Sequence, residues 1–109
     1  MELKSMQQND VTIFIIGGEI NISTSPDLKK NFEKMPSPKI IIDLEKVTYV
    51  DSSGLATLVE ILKKSKSQGG QLALSGMSDK VKSLFEITKL DKLFSIFPSQ
   101  QLAMAKLVS

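Results

Sequence analysis

Two hydrophobic rhythms alternate along the chain. Short runs rich in β-branched and aromatic residues, Val11-Thr12-Ile13-Phe14-Ile15-Ile16, Ile40-Ile41-Ile42-Asp43-Leu44 and Leu72-Ala73-Leu74, predict strands. The near-continuous apolar character of the first two predicts burial on both faces, as in a sheet covered by helices. Between the runs, apolar residues recur every three or four positions. Leu28, Phe32 and Met35 share one helical face, as do Leu55, Leu58, Val59 and Leu62, and then Val81, Leu84 and Phe85.

The punctuation of the chain divides these segments. Leu3 to Met6 predicts an edge strand, followed by a polar turn at Gln8-Asn9-Asp10; Gly17-Gly18 is expected to end the next strand. After a loop over Glu19 to Thr24, Ser25-Pro26-Asp27 predicts a helix start, with Ser25 as N-cap and Pro26 at the first helical position. Pro36 and Pro38 are expected to stop that helix, and a loop through Val47, Tyr49 and Val50 to lead to Asp51. Gly69-Gly70 closes the second helix and Ser78 caps the third. Leu93 to Phe97 predicts the final strand, and Pro98-Ser99 opens a last helix through Leu107. The order β-β-α-β-α-β-α-β-α predicts a single α/β domain over residues 1–109: a mixed, mostly parallel sheet with helices packed on it, right-handed crossovers and functional loops at strand ends. Phe14, Phe32, Phe85, Phe94 and Phe97 are expected in or beside the core.

Composition narrows the chemistry. All fourteen positive side chains are Lys, against twelve acids, giving a formal charge of +2; Cys, His, Arg and Trp are absent. No thiolate or imidazole is available as nucleophile, base or zinc ligand, and no guanidinium to clamp a phosphate. We therefore expect no enzyme, no metal site and no cofactor. The lysines are scattered apart from Lys63, Lys64 and Lys66, which gives little reason for a nucleic-acid or membrane partner. No apolar run exceeds the four residues of Ile13 to Ile16, too short to span a membrane, and Met1-Glu2-Leu3-Lys4-Ser5 has no signal-like core, so a cytoplasmic protein is expected. Serine is abundant, with fourteen copies. A hydroxyl without an activating base is a weak nucleophile but a good target for another enzyme.

Among the polar clusters, Asp51-Ser52-Ser53-Gly54 stands just before a helix. Its plainest reading is a capping sequence, in which Asp51 or a serine hydroxyl accepts from first-turn amides and Gly54 permits close backbone approach. A sharper and compatible reading is a switch. Unpaired amides and the positive end of the helix dipole tolerate the roughly −1.5 to −2 charges of a phosphate on one of the serines.

Tyr49-Val50-Asp51-Ser52-Ser53-Gly54-Leu55, following a strand that ends Ile42-Asp43-Leu44, resembles the STAS domain of bacterial anti-sigma-factor antagonists. Gly18-Glu19-Ile20-Asn21 is similar to that family's Gly-x-Leu-Asp loop, Gln68-Gly69-Gly70 to its next turn, and Leu90 to Phe97 to its closing segment. The resemblance implies an anti-anti-sigma factor that regulates transcription by protein-protein interaction. Unmodified, it would bind an anti-sigma factor that is also a serine kinase, releasing a sigma factor. It would be switched off by phosphorylation at Ser53, with Ser52 as the alternative hydroxyl, and restored by a PP2C-type phosphatase. Partner contacts would come from Asp51, Ser52, Ser53 and Gly54, with Asn21, Ser23 and Thr57 as secondary contacts; Thr57 and Glu60 are expected on exposed turns of the motif helix, and Met77 as a further contact. Asn21 stands where the family has Asp, and Ala56 where it has a second glycine.

A STAS-like domain can serve as a non-phosphorylated scaffold or accessory subunit of a signalling or transport complex. A receiver-like phosphoacceptor at Asp43 lacks the acidic pair and the lysine that such a site needs, and Asp43 reads as a strand-end carboxylate. A hydrolase using Ser53 lacks a base, and Gly54 alone makes no nucleophile elbow.

Overall fold

A tight turn sets the first edge of the sheet. Asn9 and Asp10 both have positive φ, 52° and 68°, the geometry of a type I′ hairpin, which these two residue types tolerate. It joins β1 (Glu2–Gln8) to β2 (Val11–Ile20) in an antiparallel pair running from Glu2↔Gly17 to Gln8↔Val11. The computed structural model describes residues 1–34 and 38–108. The remaining elements are α1 (Ser25–Glu33), β3 (Lys39–Val50), α2 (Ser52–Ser67), β4 (Gln71–Ser75), α3 (Asp79–Ile87), a 3-10 turn (Leu90–Lys92), β5 (Ser95–Phe97) and α4 (Gln100–Val108).

The strands lie in their chain order, and β2 to β5 are parallel, so the mixed, mostly parallel sheet and the element order are as the sequence predicts. Strand alternation sends Phe14, Ile16, Ile40, Ile42, Leu72 and Leu74 into the larger core, where they meet Leu28 and Phe32 of α1, Leu58 and Ile61 of α2, and Val81 and Phe85 of α3. The intervening Val11, Ile13, Ile41 and Ala73 face the opposite way, against Ala103 and Leu107 of α4. Phe94 stacks edge-on against Phe85 with centroids 5.6 Å apart; Phe97 is half-buried beside α4.

Several boundaries move. Gly17-Gly18 does not end β2. The ladder to β3 continues through Gly18↔Val47, Glu19↔Tyr49 and Ile20↔Val50, after register shifts at Ile15/Gly17 and Gly18/Glu19. Gly18, at φ 85°, supplies a conformation that a side chain resists, and β3 absorbs the extra residues as bulges. Val47, Tyr49 and Val50 are therefore strand, not loop. The N-cap of α1 is Thr24; Ser25 is already helical, is buried, and its hydroxyl has no partner. Met35 and Pro36 lie outside the described residues, and α1 ends at Glu33 with Lys34 as its C-cap. Leu93 precedes β5 and is exposed, because the 3-10 turn occupies that stretch. Asp43 is buried within β3, and its carboxylate accepts from the Glu45 amide and from Gln100 Nε2, both at 2.9 Å. It ties α4 to the sheet.

Candidate functional site

At the carboxyl ends of β2 and β3, two turns are bolted together. The Asp51 amide donates to the Ile20 carbonyl at 3.1 Å, which joins the start of α2 to the end of β2. Asp51 has extended backbone geometry and its Oδ1 accepts from the Gly54 amide at 2.8 Å, the pattern of an N-cap. Its carbonyl accepts from Leu55 N at 2.9 Å, the first intrahelical bond. Gly54 is packed so tightly that a Cβ there would overlap the Ile20 carbonyl oxygen and stand 2.8 Å from Val50 Cγ1. Glycine at this position is thus a packing requirement.

The rest of α2 holds this end rigid. Leu55, Leu58, Ile61 and Leu62 are buried, and burial of each such side chain contributes about 1.5–3 kcal/mol. Thr57 belongs to that inner surface. It is 4% exposed and its hydroxyl donates to the Ser53 carbonyl at 3.0 Å, which corrects the expectation of an exposed Thr57. The pattern was available, since position 57 lies three residues after Gly54 and four before Ile61, both on the buried stripe. Glu60 is exposed as expected and pairs with Lys29 of α1 at 2.7 Å, an exposed ion pair of small energetic weight. Ala56 is exposed, so its methyl group lies on the surface of the first helical turn.

Ser52 is exposed and Ser53 half-buried at the first two positions of α2. Their amides have no acceptor one turn earlier, whereas the Gly54 amide is taken by Asp51. Either hydroxyl therefore stands where a helix terminus favours negative charge.

The second turn carries Asn21 and Ser23. Asn21 Oδ1 accepts from Ser23 N at 2.9 Å and Thr24 N at 3.1 Å, while the Asn21 carbonyl accepts from Ser25 N at 2.8 Å. Thr24 Oγ1 accepts from the Asn21 amide at 2.8 Å. The work at position 21 is done by an oxygen acceptor, which Asn and Asp both supply. Ser23 is exposed on this turn. Asp51, Ser52, Ser53, Gly54, Asn21 and Ser23 are thus on two turns joined by the Ile20 to Asp51 bond, with Thr57 beneath the surface. Met77 is half-buried and packs against the larger core, at the edge of a 440 Å³ cleft lined also by Asp79, Lys82 and Asp91.

Two further exposed side chains lie near these turns. Ile22 is 72% exposed between Asn21 and Ser23, and Tyr49 is 37% exposed, aligned with Glu19 across the ladder and covered by Lys80 Nζ at 5.4 Å from its ring centre. The signal for Ile22 was an isolated branched apolar residue within a polar turn.

A family model described as the STAS domain matches residues 2–103. The chain is 35% identical over 99 residues to the anti-sigma-B factor antagonist of Listeria monocytogenes, covering 88% of this chain and 86% of that protein. It is 36% identical over 84 residues to the anti-sigma-B factor antagonist of Staphylococcus aureus, covering 74% and 78%. A Thermotoga maritima crystal structure superposes with a TM-score of 0.93 at 30% identity, covering 98% of this chain and 95% of that one.

Proposed function

The chain belongs to the STAS domain family, and from that premise we propose that it is an anti-sigma factor antagonist whose docking face is the pair of turns around Asp51 to Gly54 and Asn21 to Ser23. In its unmodified form it binds an anti-sigma factor that is also a serine kinase, and so releases a sigma factor. Phosphorylation at Ser53 ends the complex, and a PP2C-type phosphatase restores it.

The observation that carries this reading is the Asp51 cap. By occupying the Gly54 amide it holds the first turn of α2 fixed and leaves Ser53 half-buried at the rim, with its hydroxyl free of any role in the cap. A phosphate there adds about −1.5 to −2 charges at the positive end of a helix, which the fold tolerates. A partner pressed against the same spot would have to desolvate that charge beside the Asp51 carboxylate, which opposes binding. Without arginine in the chain, only helix-terminal amides and lysines remain to receive the phosphate, so it acts by blocking a surface and not by rebuilding the fold.

Supporting contacts come from Ser52, Asn21 and Ser23. Thr57 acts from below, through its bond to the Ser53 carbonyl. The test is incubation with ATP and the anti-sigma kinase of the same organism, followed by intact mass and fragment mapping. One phosphate on Ser53 is the expected product. A protein that never gains phosphate, or gains it away from Ser52 and Ser53, contradicts the switch and favours a constitutive scaffold or accessory subunit.

A further inference from the structure

Ile22 is exposed over 72% of its surface, in the turn between β2 and α1. Turn positions suit Gly, Asn, Asp and Ser, and a branched apolar residue there adds nothing to folding when it packs against no core. The turn is nevertheless firmly held: Asn21 Oδ1 accepts from the Ser23 and Thr24 amides, the Asn21 carbonyl from Ser25 N, and Thr24 Oγ1 from Asn21 N. None of these bonds uses the side chain at position 22. Two residues earlier, the Ile20 carbonyl receives the Asp51 amide, so Ile22 is carried on the same rigid unit as the serines. Among the described residues, the other aliphatic side chains more than half exposed, Ile87, Leu93 and Leu102, lie at the end of α3, beside the 3-10 turn and on α4.

We propose that Ile22 is the apolar anchor of the docking face, seated in a nonpolar socket on the anti-sigma factor, with hydrogen-bonding groups of that partner beside the socket for Asp51 and Ser53. The inference rests on the function proposed above and adds the residue that supplies hydrophobic affinity. A large apolar group held on a fixed turn is suited to this role. Its backbone is ordered before binding and its β-branched side chain has few rotamers to lose, so most of the burial energy appears as affinity. Energetic anchors of this kind sit near the centre of an interface, surrounded by weaker polar contacts.

The experiment is calorimetric titration of the purified anti-sigma factor of the same organism with the wild-type chain, Ile22→Ser, Ile22→Val and Ser53→Asp, with thermal unfolding of each. Ile22→Ser is expected to bind about tenfold or more weakly, and Ile22→Val, which loses one methylene, within about fourfold of wild type. Both should melt with the wild type. If Ile22→Ser binds like wild type while Ser53→Asp does not bind, Ile22 lies outside the interface and the functional reading stands without it. If Ile22→Ser weakens binding only together with a lowered melting temperature, its role is structural and the anchor is refuted. If the wild-type chain itself fails to bind, the functional reading falls and the anchor falls with it.

Discussion

Gly54 rests directly on the carbonyl group of Ile20: a Cβ at position 54 would overlap its oxygen and stand 3.0 Å from its carbon. The contact fixes how the first turn of α2 meets the end of β2, and so fixes Ser53 relative to Asn21 and Ile22. Gly54→Ala must push these elements apart. We expect a loss of about 1–3 kcal/mol in chemical denaturation, together with weakened partner binding. Wild-type stability in this variant would show that the contact is not close in solution.

The Asp51 cap gives a second expectation. Asp51→Ala removes the acceptor of the Gly54 amide and should cost about 1 kcal/mol, or roughly 4–8 °C in melting temperature for a domain of this size. Asp51→Asn retains an oxygen acceptor and should recover most of that loss. If Asn and Ala melt together, the carboxylate acts through its charge and not as a cap.

Position 21 is expected to tolerate the exchange of its amide for a carboxylate. Asn21→Asp keeps the oxygen that receives the Ser23 and Thr24 amides, so thermal stability should change by less than about 0.5 kcal/mol, whereas Asn21→Ala should lose about 1 kcal/mol. A large loss in Asn21→Asp would mean that the Nδ2 group, 3.5 Å from Glu19 Oε1, carries more than its geometry suggests.

Ser25 separates two accounts of the α1 start. As an N-cap it would lose about 1 kcal/mol on replacement by Ala. Because its hydroxyl is buried without a partner and Thr24 holds the cap position, Ser25→Ala should instead be neutral or stabilising. Denaturation of this single variant decides between them.

Legibility in the sequence followed the strength of each periodic pattern. The strand cores Val11–Ile16, Ile40–Leu44 and Leu72–Leu74 and the buried faces of α2 and α3 could be read because alternation and the helical repeat are strong there. The carboxyl halves of β2 and β3 could not, because the bulges beside Gly17 and Gly18 break the two-residue alternation where glycine pairs ordinarily mark an end. The motif turn was legible since capping is local chemistry: Asp51 bonds a residue three positions away. Its union with Asn21 was not, because a bond between Ile20 and Asp51 spans a whole β-α-β crossover and leaves no local trace. The polarity of Thr57 suggests an outward position, whereas the helical repeat sends it inward, where its hydroxyl finds the Ser53 carbonyl.

We propose that charge at Ser53 controls partner binding without altering the fold. The most direct measurement compares the affinity of the anti-sigma factor for the unmodified chain and for the chain phosphorylated at Ser53, alongside the melting temperature of each. Phosphorylation is expected to lower affinity about 100-fold or more, the scale of a few kcal/mol for a charge left unpaired in an interface, with melting temperatures that agree within a few degrees. Equal affinity of the two forms would contradict it.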